Sequence, residues 1–269
     1  MQRVHTRSLP QLRRISPIMT NVGRSAREIQ LEGLLDIPEF CGWCGTPVDG
    51  YEVCFGCKQI SDSTSQSLLP DNIALLTYAI HGRQSATDVY RYKEAGKQST
   101  VNESLSRMKI LTNFFIYHHS GCFRHATGST VDSITHVPSG KGRHPHPLET
   151  QIEQLFPPEL RRVRLSPTKG PRTEGREETV DPKGHNVADG VEGSHVLLLE
   201  DTWVRGFSAL SATAALKEAG ADTVSLLVLA RYLRPNFTAT QTWLAQQERL
   251  TPYDPTFCPV TRSQTCPGG

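Results

Sequence analysis

The residues best suited to chemistry in this sequence are four cysteines arranged as two Cys-x-x-Cys pairs. Each pair can present two thiolates to one ion, and Gly45 and Gly56 favour the tight turns that this requires. Four thiolates around one ion form a closed tetrahedral zinc site, which is structural rather than catalytic. A redox dithiol would need a single pair beside a βα unit, whereas both pairs lie in loop-like sequence. The spacing therefore predicts a structural zinc site held by Cys41, Cys44, Cys54 and Cys57.

A second group of candidate residues follows the apolar run 196–199, which has the composition of a buried strand. The adjacent acids Glu200 and Asp201 come at its end, a turn with Gly206 follows, and Ser208 opens an alanine-rich helix. Such a turn offers free backbone N–H groups and the positive end of the helix dipole to a 5′-phosphate. Gly206 lets the backbone approach the phosphate, and Ser208 can cap the helix. The two carboxylates can accept hydrogen bonds from vicinal ribose hydroxyls.

The elements that must position these residues alternate between strand and helix from residue 132 onwards. The pattern predicts strands over 133–137, 160–165, 195–199 and 223–230, and helices over 148–156 and 208–219. Earlier in the chain, it predicts an apolar strand or helix over 73–80, a strand over 88–92 and a helix over 103–118. This alternation predicts an α/β fold with a mainly parallel sheet.

The segment from 195 to 231 resembles the signature of type I phosphoribosyltransferases, in which four apolar residues and two acids precede a loop with Thr and Gly. Within that superfamily the chain is similar to ComF-type, amidophosphoribosyltransferase-like proteins, which also place a short zinc ribbon before the transferase domain. The resemblance implies that Glu200 and Asp201 are the catalytic, ribose-binding acids. It implies a phosphate loop made of Thr202, Trp203, Val204, Arg205, Gly206, Phe207 and Ser208.

Two features of the family pattern bear on neighbouring loops. In this fold an earlier strand ends in a loop that holds pyrophosphate, and the matching loop here contains Ser139, Gly140, Lys141 and Arg143. A Gly-rich loop with incidental surface charge is the alternative at this position. The family also has a mobile hood over its active site, and the Gly-, Pro- and charge-rich segment 166–194 lies at that point in the chain order. A disordered insertion is the alternative there.

The resemblance implies an enzyme that binds 5-phosphoribosyl diphosphate with Mg²⁺ and transfers the phosphoribosyl group to a nitrogen nucleophile, releasing pyrophosphate. Val204 and Arg205 stand where the family usually has two Thr. That departure favours the alternative of a non-catalytic member, which senses nucleotides or is associated with DNA uptake. A third interpretation is an interaction module whose ribbon docks a protein partner. Few basic or aromatic residues flank the ribbon, so nucleic-acid binding is a minority interpretation.

Length and composition set the expected organisation of the 269-residue chain. The net charge of +2 gives no reason to expect attraction to a membrane surface, and no apolar run is long enough to span a bilayer. With no secretory segment in view, we expect a cytoplasmic protein. The expected parts are a basic, disordered leader over 1–35, a zinc ribbon over 36–60, a phosphoribosyltransferase-like domain over 70–235 and a C-terminal tail over 236–269.

Two weaker patterns involve other histidines and cysteines. The segment 118–125 contains metal-like spacing, but a helix end followed by a glycine turn is the favoured interpretation. The cysteines near the C-terminus lie in Pro-rich sequence and are expected to be free thiols. The residues concerned are His118, His119, Cys122, His125, Cys258 and Cys266.

Two roles for Asp201 make opposite predictions. If Asp201 binds ribose, Asp201→Asn lowers ligand affinity and changes stability little. If it instead stabilises the core by pairing with Arg143 or Arg205, the same change lowers stability and leaves affinity unchanged.

Overall fold

The computed structural model describes residues 40–93, 98–139, 145–168, 179–246 and 256–262. The predicted leader, and Gly140, Lys141 and Arg143 of the predicted pyrophosphate loop, therefore lie outside the described residues. The helices are α1 Phe55–Ser63, α2 Gln84–Arg91, α3 Gln98–His119, α4 Cys122–Thr127, α5 Pro147–Leu155, α6 Phe207–Glu218 and α7 Thr238–Gln246. The strands are β1 Asn72–Leu75, β2 Tyr78–Ile80, β3 Ser133–His136, β4 Arg161–Arg162, β5 Leu165–Pro167, β6 His185–Val187, β7 His195–Trp203 and β8 Thr223–Leu233.

The main sheet is parallel throughout and has the order β1–β8–β7–β3–β4, with β2 continuing the line of β1 along β8. The predicted α/β fold with a mainly parallel sheet is confirmed. A separate antiparallel pair, β5 with β6, lies, apart from Leu165, inside the segment 166–194 that was expected to be a hood or an insertion.

The order of the strands reverses between β3 and β7. From β3 the chain passes through α5 to β4 on one side, whereas from β7 it passes through α6 to β8 on the other. His136 pairs with Leu199 in register, and the Val137 N–H donates to the Leu199 carbonyl at 2.9 Å. Open parallel sheets bind ligands outside the carboxyl ends of their strands at such a reversal. The predicted acids and Ser139, the one described residue of the predicted pyrophosphate loop, thus follow neighbouring strands toward one edge of the sheet.

Alternation along β7 places its side chains in two hydrophobic layers. Leu197 and Leu199 pack on the layer that contains residues of α3 and α5. Val196 and Leu198 pack on the opposite layer, with residues of α6 and the four ribbon cysteines, of which Cys54 is only partly buried. Both faces of the central strands are covered, which explains their uninterrupted apolar sequence.

The strand predicted over 88–92 is wrong, because this stretch belongs mainly to α2. Its buried residues Ser85, Asp88 and Val89 have the spacing of one helix face. Two of the three are polar and satisfied, since the Ser85 hydroxyl accepts from the Ile80 N–H at 3.1 Å and the Asp88 carboxylate accepts from Arg107 at 2.5 Å. Because two of the buried residues are polar, the sequence lacks the apolar period by which a helix is recognised.

The strand predicted over 160–165 is wrong in part. Only Arg161 and Arg162 pair with β3, while Leu165 begins β5 in the smaller sheet. Between them the Arg164 N–H donates to the Asp189 carboxylate at 2.9 Å, so the chain leaves the main sheet there.

The predicted tail contains α7, whose Trp243 packs against Phe40 and Tyr78 with ring centroids 5.9 and 5.0 Å away. None of the described helices combines the length and the apolar character that crossing a bilayer requires.

Candidate ligand site and cysteine centre

The turn between β7 and α6 rests on a buried tryptophan. Trp203, the last residue of β7, is 1% exposed, so its ring is a fixed support under the turn. Gly206 has a φ of +89°, and a Cβ at this position would lie 2.4 Å from Trp203 Cζ2. Only glycine fits there, because both the left-handed backbone and the contact with the ring exclude a side chain. Within the predicted phosphate loop, Trp203 therefore supplies support from below.

The first turn of α6 is left without a side-chain cap among the described residues. The sequence favoured Ser208 as the cap, but the helix begins at Phe207 and Gly206 occupies the N-cap position. Because Gly206 has no side chain, the N–H groups of the first helical turn stay available to an anion.

A cavity of about 360 Å³ lies at this turn. Its lining consists of Glu200 and the residues Thr202–Ala209, so all predicted loop residues and one predicted acid surround the same space. This volume is in the ordinary range for a small-molecule pocket.

The two acids lie within β7, not after it, and their side chains take opposite faces of the strand. Glu200 lines the cavity, and its Oε1 accepts from the Thr202 N–H at 3.2 Å. Burial, together with the negative charge of Asp201, raises the pKa of Glu200 well above its ordinary value. Glu200 is therefore the acid placed to meet a ligand in this cavity.

Asp201 is held by three neighbours on the other face. Its Oδ1 lies 2.6 Å from Lys93 Nζ, and its Oδ2 accepts from the Tyr92 hydroxyl at 2.6 Å. His146 Nε2 lies 3.6 Å from the same Oδ2, and His146 Nδ1 accepts from the Leu148 N–H, which leaves the proton on Nε2. Burial alone would raise the pKa of Asp201, but Lys93 and Tyr92 stabilise the carboxylate and hold the pKa below its ordinary value.

Tyr92, Lys93 and His146 were not predicted as site residues. The first two follow α2, part of which was predicted to be a strand, and their contacts with Asp201 span about a hundred residues of sequence. His146 is the N-cap of α5, and its ring stacks on His136 with centroids 5.1 Å apart. The pattern His-Pro before a helix was the one local signal, since it marks an N-cap followed by proline at N1.

The four cysteines predicted to bind zinc are brought together, and their sulfur atoms all lie within 4.8 Å of one another. Cys44 Sγ and Cys54 Sγ are 3.8 Å apart. Tetrahedral zinc with bonds of about 2.3 Å would place two sulfur atoms about 3.8 Å apart. The group could hold one ion of that kind. The second pair is not in a loop, because Cys54 is the N-cap of α1, and this helix runs to Ser63, past the expected end of the ribbon at 60.

Arg231 connects the cysteine group with the turn between β7 and α6. Its buried guanidinium donates to the carbonyl of Cys44 at 3.1 Å and to those of Trp203 and Val204 at 3.0 Å. Arg262, in the segment 256–262, donates to the carbonyls of Cys41 and Trp43, which lie in the first Cys-x-x-Cys pair. A divalent ion with four thiolates carries net negative charge, which these two cations would offset.

No protein-family model matches the chain, and no curated protein matches it. Among solved structures, the chain is similar to a hypoxanthine phosphoribosyltransferase from Staphylococcus aureus, with 14% sequence identity and a TM-score of 0.30. The match covers 46% of this chain and 74% of that chain. A similarity at this level carries no argument about function, which therefore depends on the strand order and the site geometry described above.

Replacing Gly206 with alanine should destabilise the protein by about 1–3 kcal/mol, because the new Cβ meets a buried ring in a left-handed backbone. Gly82→Ala is the matched control, since Gly82 has a φ of +78° and no described atom within 4 Å of its Cβ position. We expect about 1 kcal/mol there, from backbone conformation alone. Urea unfolding of both variants measures the difference, and equal losses would show that Trp203 does not support the turn.

Proposed function

We propose that this chain has a type I phosphoribosyltransferase fold and binds 5-phosphoribosyl diphosphate at the shared edge of β3 and β7. The observation that carries the proposal is the cavity at the strand-order reversal, which combines an uncapped helix N-terminus with the carboxylate of Glu200. Parallel sheets bind ligands at this position, and helix N-termini bind phosphate.

Each part of the ligand has a counterpart at this edge. The 5′-phosphate would accept hydrogen bonds from the N–H groups at the start of α6, close to Gly206. A ribose hydroxyl would donate to Glu200, which lines the same cavity. The pyrophosphate would lie toward the loop after β3, where Ser139 is half-buried and Gly140, Lys141 and Arg143 remain predicted ligand residues.

The donors present also fit a magnesium ion bound together with the ligand. Mg²⁺ is usually held by one or two carboxylates, several waters and the phosphates of the substrate. Glu200 offers such a carboxylate at the cavity, whereas Asp201 is already paired with Lys93. When bound, the ion would supply charge neutralisation for the pyrophosphate. For the cysteine group we propose a structural zinc ion, because four thiolates leave no open coordination position.

The reaction we propose is displacement of pyrophosphate from C1 of the ribose by a nitrogen nucleophile. The residues at the edge would position the two reactants and stabilise the charge of the leaving group. A second candidate is a non-catalytic protein that binds the same ligand. The ion pair between Lys93 and Asp201 favours it, because one of the two family acids is already engaged within the protein. A protein partner at the ribbon and a cytoplasmic location remain predictions.

Calorimetric titration with 5-phosphoribosyl diphosphate and Mg²⁺ tests the binding proposal on wild type, Glu200→Gln and Glu218→Gln. Loss of a charge-assisted hydrogen bond should weaken binding about ten- to a hundredfold in Glu200→Gln. The exposed Glu218 at the end of α6 serves as the matched control and should bind like wild type. Equal affinities in both variants would exclude Glu200 from the site.

The titration should also depend on pH. Because the pKa of Glu200 is raised, the group ionises only as the pH rises through that raised value, and the carboxylate is the better acceptor. The ratio of the wild-type affinity to the affinity of Glu200→Gln should therefore increase with pH. Release of pyrophosphate with a panel of bases and amines then separates the transferase from the non-catalytic candidate.

A further inference from the structure

A second group of metal-ligating side chains lies away from both the cavity and the ribbon. The ligand atoms of His119, Cys122 and Cys258 all lie within 4.8 Å of one another, and the three residues are 2%, 0% and 0% exposed. Cys122 Sγ and His119 Nδ1 are 3.8 Å apart. A tetrahedral zinc ion would hold a sulfur and a nitrogen about 3.6 Å apart.

Local structure explains how the first two residues meet. α3 ends at His119, Gly121 is the N-cap of α4, and Cys122 is the first residue of α4. The helix end and glycine turn predicted for this segment are therefore present. The spacing of His-x-x-Cys across this corner presents an imidazole and a thiol from one side of the turn, as a metal knuckle does.

Cys258 joins this corner from a segment without helix or strand. The thiol was predicted to be free, and it forms no disulfide, but it is buried against the other two residues. The Thr261 N–H donates to Cys258 Sγ at 3.4 Å, a contact that favours the thiolate form. One residue further on, Arg262 donates to two carbonyls of the ribbon. The segment 256–262 thus touches both cysteine groups.

We propose that His119, Cys122 and Cys258 bind a second zinc ion, which fastens the C-terminal segment to the corner between α3 and α4. Two thiolates and one neutral imidazole suit zinc and disfavour the oxygen-seeking Mg²⁺ and Ca²⁺. Binding releases two thiol protons to solvent, and a water molecule would take the fourth position. The rival is a disulfide between Cys122 and Cys258, in which the imidazole would have no part.

Metal analysis of the full chain after removal of loosely bound ions tests this proposal. We expect two zinc ions per wild-type chain, one in His119→Asn and two in His119→Cys, which restores a third ligand. His125→Asn is the matched control, because His125 lies on α4, is exposed and is outside the group, and it should keep two ions. Cys44→Ser should lose the ribbon ion and keep the second, which separates the two sites.

One zinc per chain in wild type, with the same content in His119→Asn, would overturn the proposal. Counting reactive thiols in denaturant, with a chelator and without reductant, distinguishes the zinc site from the disulfide. The sequence has seven cysteines, so zinc binding predicts seven reactive thiols, whereas a Cys122–Cys258 disulfide predicts two fewer. Cobalt substitution gives a further readout if a variant folds poorly. Wild type should bind two Co²⁺ ions with thiolate charge-transfer absorption. His119→Cys should intensify that band. Absorption from one Co²⁺ only would count against the second site.

Discussion

Replacing Cys44 with serine is expected to release the zinc ion proposed for the ribbon and to unfold residues 40–63, the largest effect that the structure predicts. Apparent binding free energies of structural zinc in small peptides are about 10–16 kcal/mol, and that energy is folding energy when no site exists in the unfolded chain. Packing also orders the ribbon, because Cys44 and Ile60 contribute to the layer shared with α6, so part of that energy is offset by contacts that do not depend on the ion. The carbonyl of Cys44 also anchors Arg231, so the turn after Trp203 should loosen as well.

Hydrogen–deuterium exchange of peptides from wild type, Cys44→Ser and Cys266→Ser measures this effect. Amides over 40–63 should exchange freely in Cys44→Ser, while β7 and β8 remain protected by the core on both faces of the sheet. Cys266→Ser removes a cysteine but keeps all four ribbon thiols and the second group of His119, Cys122 and Cys258, so it is the matched control. A Cys44→Ser protein with full metal content and a protected ribbon would refute the cysteine site.

Replacing Lys93 with methionine should lower the free energy of unfolding by about 3 kcal/mol at neutral pH. Removing one partner of a buried ion pair leaves the other charge uncompensated, which costs about 3–5 kcal/mol for full burial. The lower end applies here, because the Lys93 side chain is 20% exposed while that of Asp201 is 6% exposed. Lys217→Met is the matched control, since the partner of Lys217, Asp71, is 37% exposed. We expect about 1 kcal/mol there.

The effect of Lys93→Met should shrink as the pH falls. In wild type the pKa of Asp201 is lowered, so its stabilisation is complete above the unfolded-state pKa and is lost as the pH falls through the folded value. Without Lys93, burial raises the pKa of Asp201. Protonation of Asp201 then removes the uncompensated charge in the variant, at a higher pH than in wild type. Urea unfolding at several pH values, together with Asp201→Asn and the double variant, measures the coupling. A constant difference from neutral to acid pH would show that Asp201 is not the partner.

The strands and helices around the turn between β7 and α6 could be predicted because their signals are local. β7, α6 and β8 have continuous apolar or alanine-rich sequence, and the cysteine spacing is itself the geometry of a metal knuckle. The end of β7 was placed too early, since Glu200 and Asp201 are polar and read as the start of a loop. As a result, the two acids were expected to act together, whereas strand alternation separates their side chains.

The contacts that were missed all join distant parts of the chain. Lys93 and Tyr92 reach Asp201 only through the packing of α2 beside the sheet, and Cys258 meets His119 only after the C-terminal segment folds back. No local period or motif encodes such pairs. Asp88, buried and paired with Arg107, shows the same limit, because a polar residue on a core-facing position looks like a surface residue in sequence.

Backbone amide resonances of the ¹⁵N-labelled protein, followed during titration with 5-phosphoribosyl diphosphate and Mg²⁺, show directly where the ligand binds. A phosphate bound at the start of α6 should shift the amides of Gly206, Phe207, Ser208 and Ala209 most strongly, because their N–H groups would donate to it. A second cavity of about 480 Å³, between the ribbon and residues 69–73, is the natural comparison and should change little. Shifts confined to that second cavity, or no shifts at saturating ligand, would contradict phosphoribosyl binding at the edge of β3 and β7.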